Sequence, residues 1–312
     1  MSKLVRSQKP VFIFERMPAG RQRRVLSKLG REFFSVLGDS AVLRSLKLEF
    51  PQHTFHPLIE LFWKHVSPMP PLHLSFSDHA ELLVNCVKGI RQEASSVEFR
   101  KRRYKHRKYV LRNTESLLNY IDELFERWGR LLVIRVDIGY RVSCFGLEED
   151  PFTPTYAQVR QDREQLFKYL NSKGGPGVMR GFAWSLEMGR TSSYHHHLLL
   201  FFDGHQSRQD VSLARRLGEH WKNAITEGRG RYYNCNADEF DRRGVGMIDY
   251  WETEKLSALK EVVAPYLTKA DYLIRTMVET GKTFSHGRVP PVATRTGRPR
   301  KPTLGRSPSI ES

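Results

Sequence analysis

The feature that most constrains the fold of this chain is a pair of apolar runs joined by a short polar segment. The runs cover residues 177–188 and 194–202, and the segment Gly189-Arg-Thr-Ser-Ser-Tyr194 between them consists of turn-forming residues. Both runs have the length and composition of strands. We therefore predict two antiparallel neighbouring strands, connected as a hairpin.

The segments around this hairpin alternate between strand and helix patterns. Thr155-x-x-Gln158 is a capping box that opens one of the predicted helices. The predicted order is a strand at 130–140, a helix from Thr155, the two hairpin strands, a helix from Ser207, strands at 231–235 and 245–250, and a last helix at 254–280. This β-α-β-β-α-β order predicts an α+β fold, a split βαβ arrangement in which helices flank an antiparallel sheet.

The rest of the chain differs from this core in composition. Residues 1–110 are predicted to form a basic, mainly helical N-terminal region, in which apolar spacing over residues 22–37 indicates an amphipathic helix. Asn113-Thr-Glu is expected to start a further helix, within a folded domain at residues 111–283. Residues 284–312 are rich in Pro, Gly, Ser and Arg, and we expect this basic tail to be disordered.

The net charge is +17, from 51 Lys and Arg against 34 Asp and Glu. An excess of this size favours a polyanionic partner, and nucleic acid is the usual one. Residues 100–112 hold eight Lys or Arg and no acid, with Tyr104 and Tyr109 between them, so they could neutralise phosphates and stack on bases. A solvated helix face is the alternative interpretation. The candidate nucleic-acid-binding residues here are Arg100, Arg102, Arg103, Lys105, Arg107 and Lys108.

A second basic motif lies in the tail. Gly297-Arg-Pro-Arg-Lys301 resembles the core of an AT-hook, in which an extended Arg-Pro-Arg occupies a narrow minor groove. Arg298 and Arg300 would make those contacts. A plain basic tail is the alternative interpretation.

Cysteine use and hydropathy indicate the compartment. Cys86, Cys144 and Cys235 are too few and too scattered for a disulfide framework or a cysteine zinc site. No apolar run approaches the roughly 20 residues of a spanning helix, and the first residues lack a signal-peptide core. We expect a reduced, cytoplasmic protein that has no membrane partner.

Three consecutive histidines begin the second hairpin strand. Side chains alternate along a strand, so His195 and His197 share one face and His196 lies on the other. Glu187 can fold back beside them through the hairpin. Two imidazoles and a carboxylate form an open metal site that leaves coordination positions for a substrate oxygen. Asp137, on the first strand, is an alternative third ligand.

A metal that polarises a phosphodiester needs a nucleophile as its partner. Tyr266 and Lys269 are three residues apart on the last predicted helix and share a face. Tyr-x-x-Lys is common in helices, so its weight comes from its combination with the histidine strand. Tyr266 is the candidate nucleophile and Lys269 the candidate stabiliser of transition-state charge.

Glu187, His195-His-His197 and Tyr266-x-x-Lys269, in this order, resemble the motifs of the HUH endonucleases that initiate rolling-circle replication (Rep proteins). Further segments are similar, more narrowly, to the inovirus-type replication protein and YagK/YfjJ C-terminal domain family of phages and prophages. These segments are Trp221-Lys-Asn-Ala-Ile-Thr, Tyr232-Tyr-Asn-Cys-Asn236, Gly244-Val-Gly246 and Tyr266-Leu-Thr-Lys-Ala-Asp271.

The resemblance implies a ferredoxin/RRM-like HUH core over residues 111–283. It implies Mg²⁺ or Mn²⁺ on His195, His197 and Glu187, and attack by Tyr266 on single-stranded or supercoiled origin DNA in a bacterial host cell. The products would be a 5′-phosphotyrosine and a free 3′-OH that primes synthesis, with host replication machinery as a further candidate partner.

Two residues depart from the HUH pattern. The middle position of the histidine motif is normally hydrophobic and is His196 here, and Pro265 directly precedes Tyr266. Two other functions remain open. One is a non-catalytic DNA-binding or regulatory prophage protein on the same fold, and the other is a transposase or relaxase-like enzyme.

Overall fold

A computed structural model describes residues 2–38, 53–68, 76–141, 154–172, 175–189, 193–276 and 282–289. The chain divides into two compact units. Unit 1 comprises Met1–Arg112 and Lys269–Thr283, and unit 2 comprises Asn113–Thr268 and Phe284–Ser312.

The described residues form helices and strands with the following bounds. The helices are α1 (Ser2–Arg6), α2 (Lys28–Gly38), α3 (Pro57–Val66), α4 (Phe76–Ala94), α5 (Val97–Arg127), α6 (Tyr156–Leu170), α7 (Asp210–His220), α8 (Thr253–Ala258) and α9 (Ala264–Leu273). The strands are β1 (Phe12–Arg16), β2 (Gln22–Leu26), β3 (His53–Phe55), β4 (Arg130–Tyr140), β5 (Met179–Gly189), β6 (Ser193–Asp203), β7 (Gly230–Asn234), β8 (Gly246–Asp249), β9 (Ile274–Thr276) and β10 (Phe284–His286).

Unit 2 is built on an antiparallel sheet with the strand order β10-β5-β6-β4-β7, and β8 pairs with β4 beyond the end of β7. Helix α6 connects β4 to β5, and α7 connects β6 to β7. This confirms the predicted α+β fold and the β-α-β-β-α-β order. β4 is the central strand, since it pairs with β6 on one side and with β7 and β8 on the other.

Each face of this sheet packs against helices. Even-numbered residues of β4 and β6 form one core with apolar residues of α6 and α7. On the opposite face of the sheet, odd-numbered residues of β4 and β6, such as Leu131 and Phe201, form a second core with Leu117 on α5 and Leu267 on α9. Burial of these apolar faces is the main stabilising term for a sheet covered on both sides.

Helix starts follow the chemistry of their first residues. The Thr155 hydroxyl accepts a hydrogen bond from the backbone N–H of Gln158 at 3.2 Å, as the capping box predicts. A turn of π-helix at Leu259–Val263 joins α8 to α9. Helix α9 begins at Ala264 and continues through Pro265 to Leu273.

Four details of the predicted elements are wrong. Residues 22–26 form β2 because they pair with β1, and helix α2 begins only at Lys28. Asn113 does not start a helix, since α5 runs through it. The last helix ends at Leu273, and β9 then pairs with β3. Residues 284–286, assigned to the disordered tail, form β10 and pair with β5.

The longest described helices, α4 and α5, each contain several charged residues. Among the residues that the structure describes, no helix is both long and apolar enough to cross a bilayer.

Candidate metal centre

The candidate site lies on one face of the unit 2 sheet, where adjacent strands present polar side chains. The strand pairing places Glu187 directly opposite His195, and His197 between Ser185 and Asp137. The residues of this polar face are Ser185 and Glu187 on β5, His195 and His197 on β6, Arg135, Asp137 and Gly139 on β4, and Tyr233 on β7. The predicted convergence of the two histidines and Glu187 is confirmed.

Both imidazoles meet the Glu187 carboxylate through their Nε2 atoms. His195 Nε2 lies 3.0 Å from Glu187 Oε2, and His197 Nε2 lies 3.3 Å from Glu187 Oε1. The two rings are almost perpendicular, with centroids 5.0 Å apart. One ligand atom from each of the three residues lies within 4.8 Å of the others, so a single cation could contact all three.

The nature of these donors fits a divalent metal ion. Two imidazole nitrogens and a carboxylate are ligands that first-row transition metals accept, and three protein ligands leave coordination positions free. Burial opposes the ionisation of Glu187, but hydrogen bonds and charge from His195 and His197 outweigh it and lower its pKa to about 2. The carboxylate is therefore ionised at neutral pH and ready to bind a cation.

Asp137 lies behind His197 rather than beside Glu187. Asp137 Oδ1 is 2.7 Å from His197 Nδ1, at hydrogen-bonding distance although not in ideal alignment. Carboxylates in this position commonly orient a metal-binding histidine through its other ring nitrogen. Sequence reasoning left open whether Glu187 or Asp137 is the third ligand. In the structure Glu187 belongs to the cluster with both histidines, whereas Asp137 contacts His197 at its other ring nitrogen.

The two carboxylates also set the protonation of His197 in the metal-free protein. Burial lowers the pKa of His197, but the hydrogen bonds and charges of Asp137 and Glu187 outweigh this and raise it to about 9. The pKa of Asp137 is lowered, because His197, Arg135 and His195 outweigh the effect of its burial. The site thus holds a proton that a metal ion must displace.

Gly139 provides space for His195. A Cβ atom at this position would lie 2.9 Å from the Cβ of His195 and 3.2 Å from the backbone oxygen of Tyr194. Real Cβ atoms do not approach so closely, so the strand could accept a side chain here only if β6 shifted.

Tyr266 lies at the border of this polar face. Its ring centroid is 4.2 Å from the guanidinium carbon of Arg135, a cation–π contact. Arg135 Nη2 is in turn 3.4 Å from Asp137 Oδ2. Tyr266 as a whole is 51% exposed, so it is not a core residue and a substrate can reach it. Lys269 follows on the same helix, and its side chain lies outside the described residues.

Sequence reasoning gave no role in the site to three residues of this face. Arg135 and Ser185 each stand two positions before a predicted site carboxylate, and this spacing places each of them on the same strand face as that carboxylate. The buried hydroxyl of Ser185 has no hydrogen-bond partner among the described residues. Tyr233 is opposite Asp137, but its hydroxyl donates to Asp238 at 2.9 Å.

His196 points to the opposite face of the sheet, as predicted. Its ring is fully buried and makes an edge contact with Trp184, at 5.6 Å between centroids. Burial, with a contribution from the Arg163 charge, lowers the pKa of His196 to about 3. A neutral imidazole therefore packs on the opposite face of the sheet without entering the site.

The basic residues predicted to bind nucleic acid lie on α5 in unit 1, and most are exposed. Arg102, Lys105 and Lys108 line a groove of about 470 Å³. Arg102 also contacts Glu60 at 3.8 Å. Arg100, Arg103 and Arg107 are on the same helix but do not line this groove. Arg298 and Arg300 lie outside the described residues.

Comparison with known proteins identifies the family of the chain. A family model described as the YagK/YfjJ C-terminal domain matches residues 93–276, which hold the whole polar face and Tyr266. No curated protein and no solved structure matches significantly. The match covers more than half of the chain, which therefore belongs to the YagK/YfjJ C-terminal domain family.

Proposed function

We propose that this protein is a metal-dependent endonuclease of the HUH type that nicks and rejoins single-stranded DNA to initiate rolling-circle replication of a phage or prophage element. The observation that carries the proposal is the Glu187, His195 and His197 cluster, to which Tyr266 is connected by three successive contacts through Arg135 and Asp137. A metal site and a reachable tyrosine are the two components that a phosphotyrosine mechanism requires.

Glu187, His195 and His197 would hold the divalent ion. The donor set includes two imidazoles, which suit Mn²⁺ better than Mg²⁺, because Mg²⁺ prefers oxygen ligands and retained water. The bound ion would polarise the scissile phosphate and neutralise its developing charge. Asp137 would keep His197 in the orientation that directs Nε2 towards the metal.

Tyr266 would supply the attacking oxygen. A bond forms between its phenol oxygen and phosphorus, and the bond between phosphorus and the 3′ oxygen breaks. The phenol proton passes to solvent, and the departing oxygen takes up a proton to become the free 3′-OH. The guanidinium of Arg135, beside the ring, would favour negative charge on the phenol oxygen during attack. We assign Lys269 to stabilisation of the same transition state.

The basic groove of unit 1 would bind the DNA backbone. Arg102, Lys105 and Lys108 offer positive charge, and Phe55 and Tyr109 line the same groove and offer ring faces for stacking. Single-stranded or supercoiled origin DNA is the proposed substrate. Retention of this binding by a protein that lacks nicking would be the signature of the alternative, a non-catalytic DNA-binding regulator.

The test is formation of a covalent adduct. Single-stranded oligonucleotides that tile the replicon, labelled at the 3′ end, are incubated with the protein and Mn²⁺ and resolved on a denaturing gel. Because the tyrosine would remain attached to the 5′ end of the downstream fragment, the label should migrate with the protein. Tyr266→Phe and His197→Ala should abolish this band, and a chelator should do the same.

Tyr233→Phe is the matched control, because Tyr233 also lies on the polar face but donates its hydroxyl to Asp238. We expect it to retain the adduct. An adduct that survives Tyr266→Phe and disappears with Tyr233→Phe would assign the nucleophile to β7 and overturn the proposal. Absence of an adduct with every oligonucleotide, with DNA binding intact, would favour the regulatory alternative.

A further inference from the structure

Among the described residues, strands β1 and β2 of unit 1 pair only with each other and form a two-stranded ribbon, which lies outside the residues that the family model matches. The strands pair from Phe12 with Leu26 at the base to Arg16 with Gln22 at the tip. The tip turn includes Gly20, whose φ of +74° is readily adopted only by glycine. An isolated hairpin of this length is marginal in water unless something fixes it.

The base of the ribbon is fixed to α2. The Ser27 hydroxyl donates to the Pro10 oxygen at 2.8 Å, and Arg31 Nη1 donates to the Leu26 oxygen at 2.8 Å. A Cβ at Gly30 would clash with the Val11 backbone oxygen, so the helix and the ribbon base are in direct backbone contact. Phe12 at the base is buried. The base is therefore held by the fold.

The outer half of the ribbon is exposed on both strands. Every residue from Ile13 to Arg16 and from Gln22 to Arg24 is exposed, including Phe14 at 68%. An exposed phenylalanine on a ribbon with a fixed base makes no contribution to the core. Its position indicates a surface that contacts a partner.

The charge of the ribbon identifies the kind of partner. Between Phe12 and Leu26 the chain holds Arg16, Arg21, Arg23 and Arg24 against a single acid, Glu15. Arg24 is held over the Phe12 ring at 4.4 Å, which orients it along the ribbon. A partner with dense negative charge complements this surface, and the fixed ribbon provides shape as well as charge.

We propose that this ribbon enters the major groove of double-stranded DNA and reads its base edges. The major groove of B-DNA admits a two-stranded ribbon of this width. Arg16 and Gln22 are paired at the tip on one face of the ribbon, and these residue types bind guanine and adenine edges respectively. Arg21 and Arg23 contact the flanking phosphates. The inference does not depend on strand nicking, since it concerns binding of duplex DNA by unit 1.

The test uses the full chain. A duplex enriched by the wild-type protein from a random 30-base-pair pool, and one strand of it, are titrated by fluorescence anisotropy over a range of salt concentrations. Arg16→Gln/Arg21→Gln should weaken duplex binding at least about tenfold and flatten the slope of log affinity against log salt by about 0.9, the value for the one phosphate that Arg21 no longer neutralises. Binding of the single strand should change much less.

Lys168→Gln/Arg215→Gln is the control with the same change in charge, on exposed positions of α6 and α7 in unit 2. It should leave duplex affinity and the salt slope unchanged. Gln22→Ala should relax the preference for adenine in the enriched site without changing the salt slope, and wild-type protein should protect guanine N7 from methylation. The substituted ribbon and control side chains are exposed, and circular dichroism checks the fold.

Three outcomes would overturn the proposal. The first is a ribbon variant that binds the duplex as tightly as wild type. The second is an equal loss of single-strand and duplex binding, which would indicate a general cationic surface. The third is duplex binding without any protection of guanine N7, which would place the interaction outside the major groove.

Discussion

Metal binding at the candidate centre should depend steeply on pH around neutrality, because His197 holds a proton that the metal must displace. The pKa of His197 is raised from 6.5 to about 9 by Asp137 and Glu187 despite its burial. Its side chain is 12% exposed, so solvent screens these charges weakly. At pH 7 only about one molecule in 100 has the neutral ring that a metal requires.

The magnitude follows from this proton. Apparent affinity for Mn²⁺ should rise about tenfold for each pH unit, or about 100-fold between pH 6.5 and 8.5. Glu187 adds nothing to this slope, because its pKa of about 2 leaves it ionised throughout the range. A histidine at the ordinary pKa of 6.5 would instead give nearly constant affinity above pH 7.5.

The assay is titration of the full chain with Mn²⁺, with free ion measured by electron paramagnetic resonance at half-unit steps of pH. Asp137→Asn should move the bend in the profile to lower pH, since one of the two carboxylates that hold the proton is gone. It should also weaken binding at high pH by roughly 10- to 100-fold, since His197 loses its orienting partner. Asp241→Asn, at an exposed position, is the control.

A flat profile between pH 6.5 and 8.5 in the wild-type protein would refute this reasoning.

The proton on His197, which opposes metal binding, stabilises the fold of the metal-free protein. Because the folded pKa of His197 exceeds the unfolded value, its contribution is complete below pH 6.5 and is lost as pH rises through about 9.

Three further outcomes can be measured. Gly139→Ala should weaken Mn²⁺ binding and cost about 1–3 kcal/mol of unfolding free energy, because its Cβ would meet His195. His196→Leu should stabilise the protein relative to wild type at pH 4–5 in urea unfolding: burial lowers the pKa of His196 to about 3, so wild type loses stability as pH falls below 6.5. Tyr140→Phe should cost about 1–3 kcal/mol with metal binding unchanged, because the Tyr140 hydroxyl donates to buried Asp162 at 2.7 Å.

The hairpin and the central strand could be predicted because their signals are local. Residues 130–140 form a β-branched run that sequence reasoning bounded correctly as β4, and turn chemistry placed β5 beside β6. Alternation then assigned His195 and His197 to one face without knowledge of the rest of the fold. The contacts of the metal cluster therefore follow from two neighbouring strands and one turn.

The errors came from pairings between distant segments. Residues 22–26 have helical apolar spacing, but hydrogen bonds to β1 outweigh that preference. In the sequence, residues 274–276 continue the helical pattern of the preceding segment. In the structure they form β9 instead, because they pair with β3, more than 200 positions earlier in the chain. Asn113-Thr-Glu was predicted to start a helix, but it lies in the middle of α5, where the Thr114 hydroxyl donates to Thr268 at 2.9 Å.

The position of Tyr266 depends on the apolar half of the sheet face. Along β4 this face changes from Leu131 and Val133 to Arg135 and then Asp137, so one core ends where the polar cluster begins. Leu267, the next residue on α9, is buried in that core, and this burial fixes the rotation of the helix. One step earlier on the helix, Tyr266 is turned out of the core and meets Arg135 at the border. The proposed nucleophile is thus placed by apolar packing rather than by contacts with the metal ligands. Its location could not be read from a Tyr-x-x-Lys spacing alone, because that spacing does not specify which side of the helix the core covers.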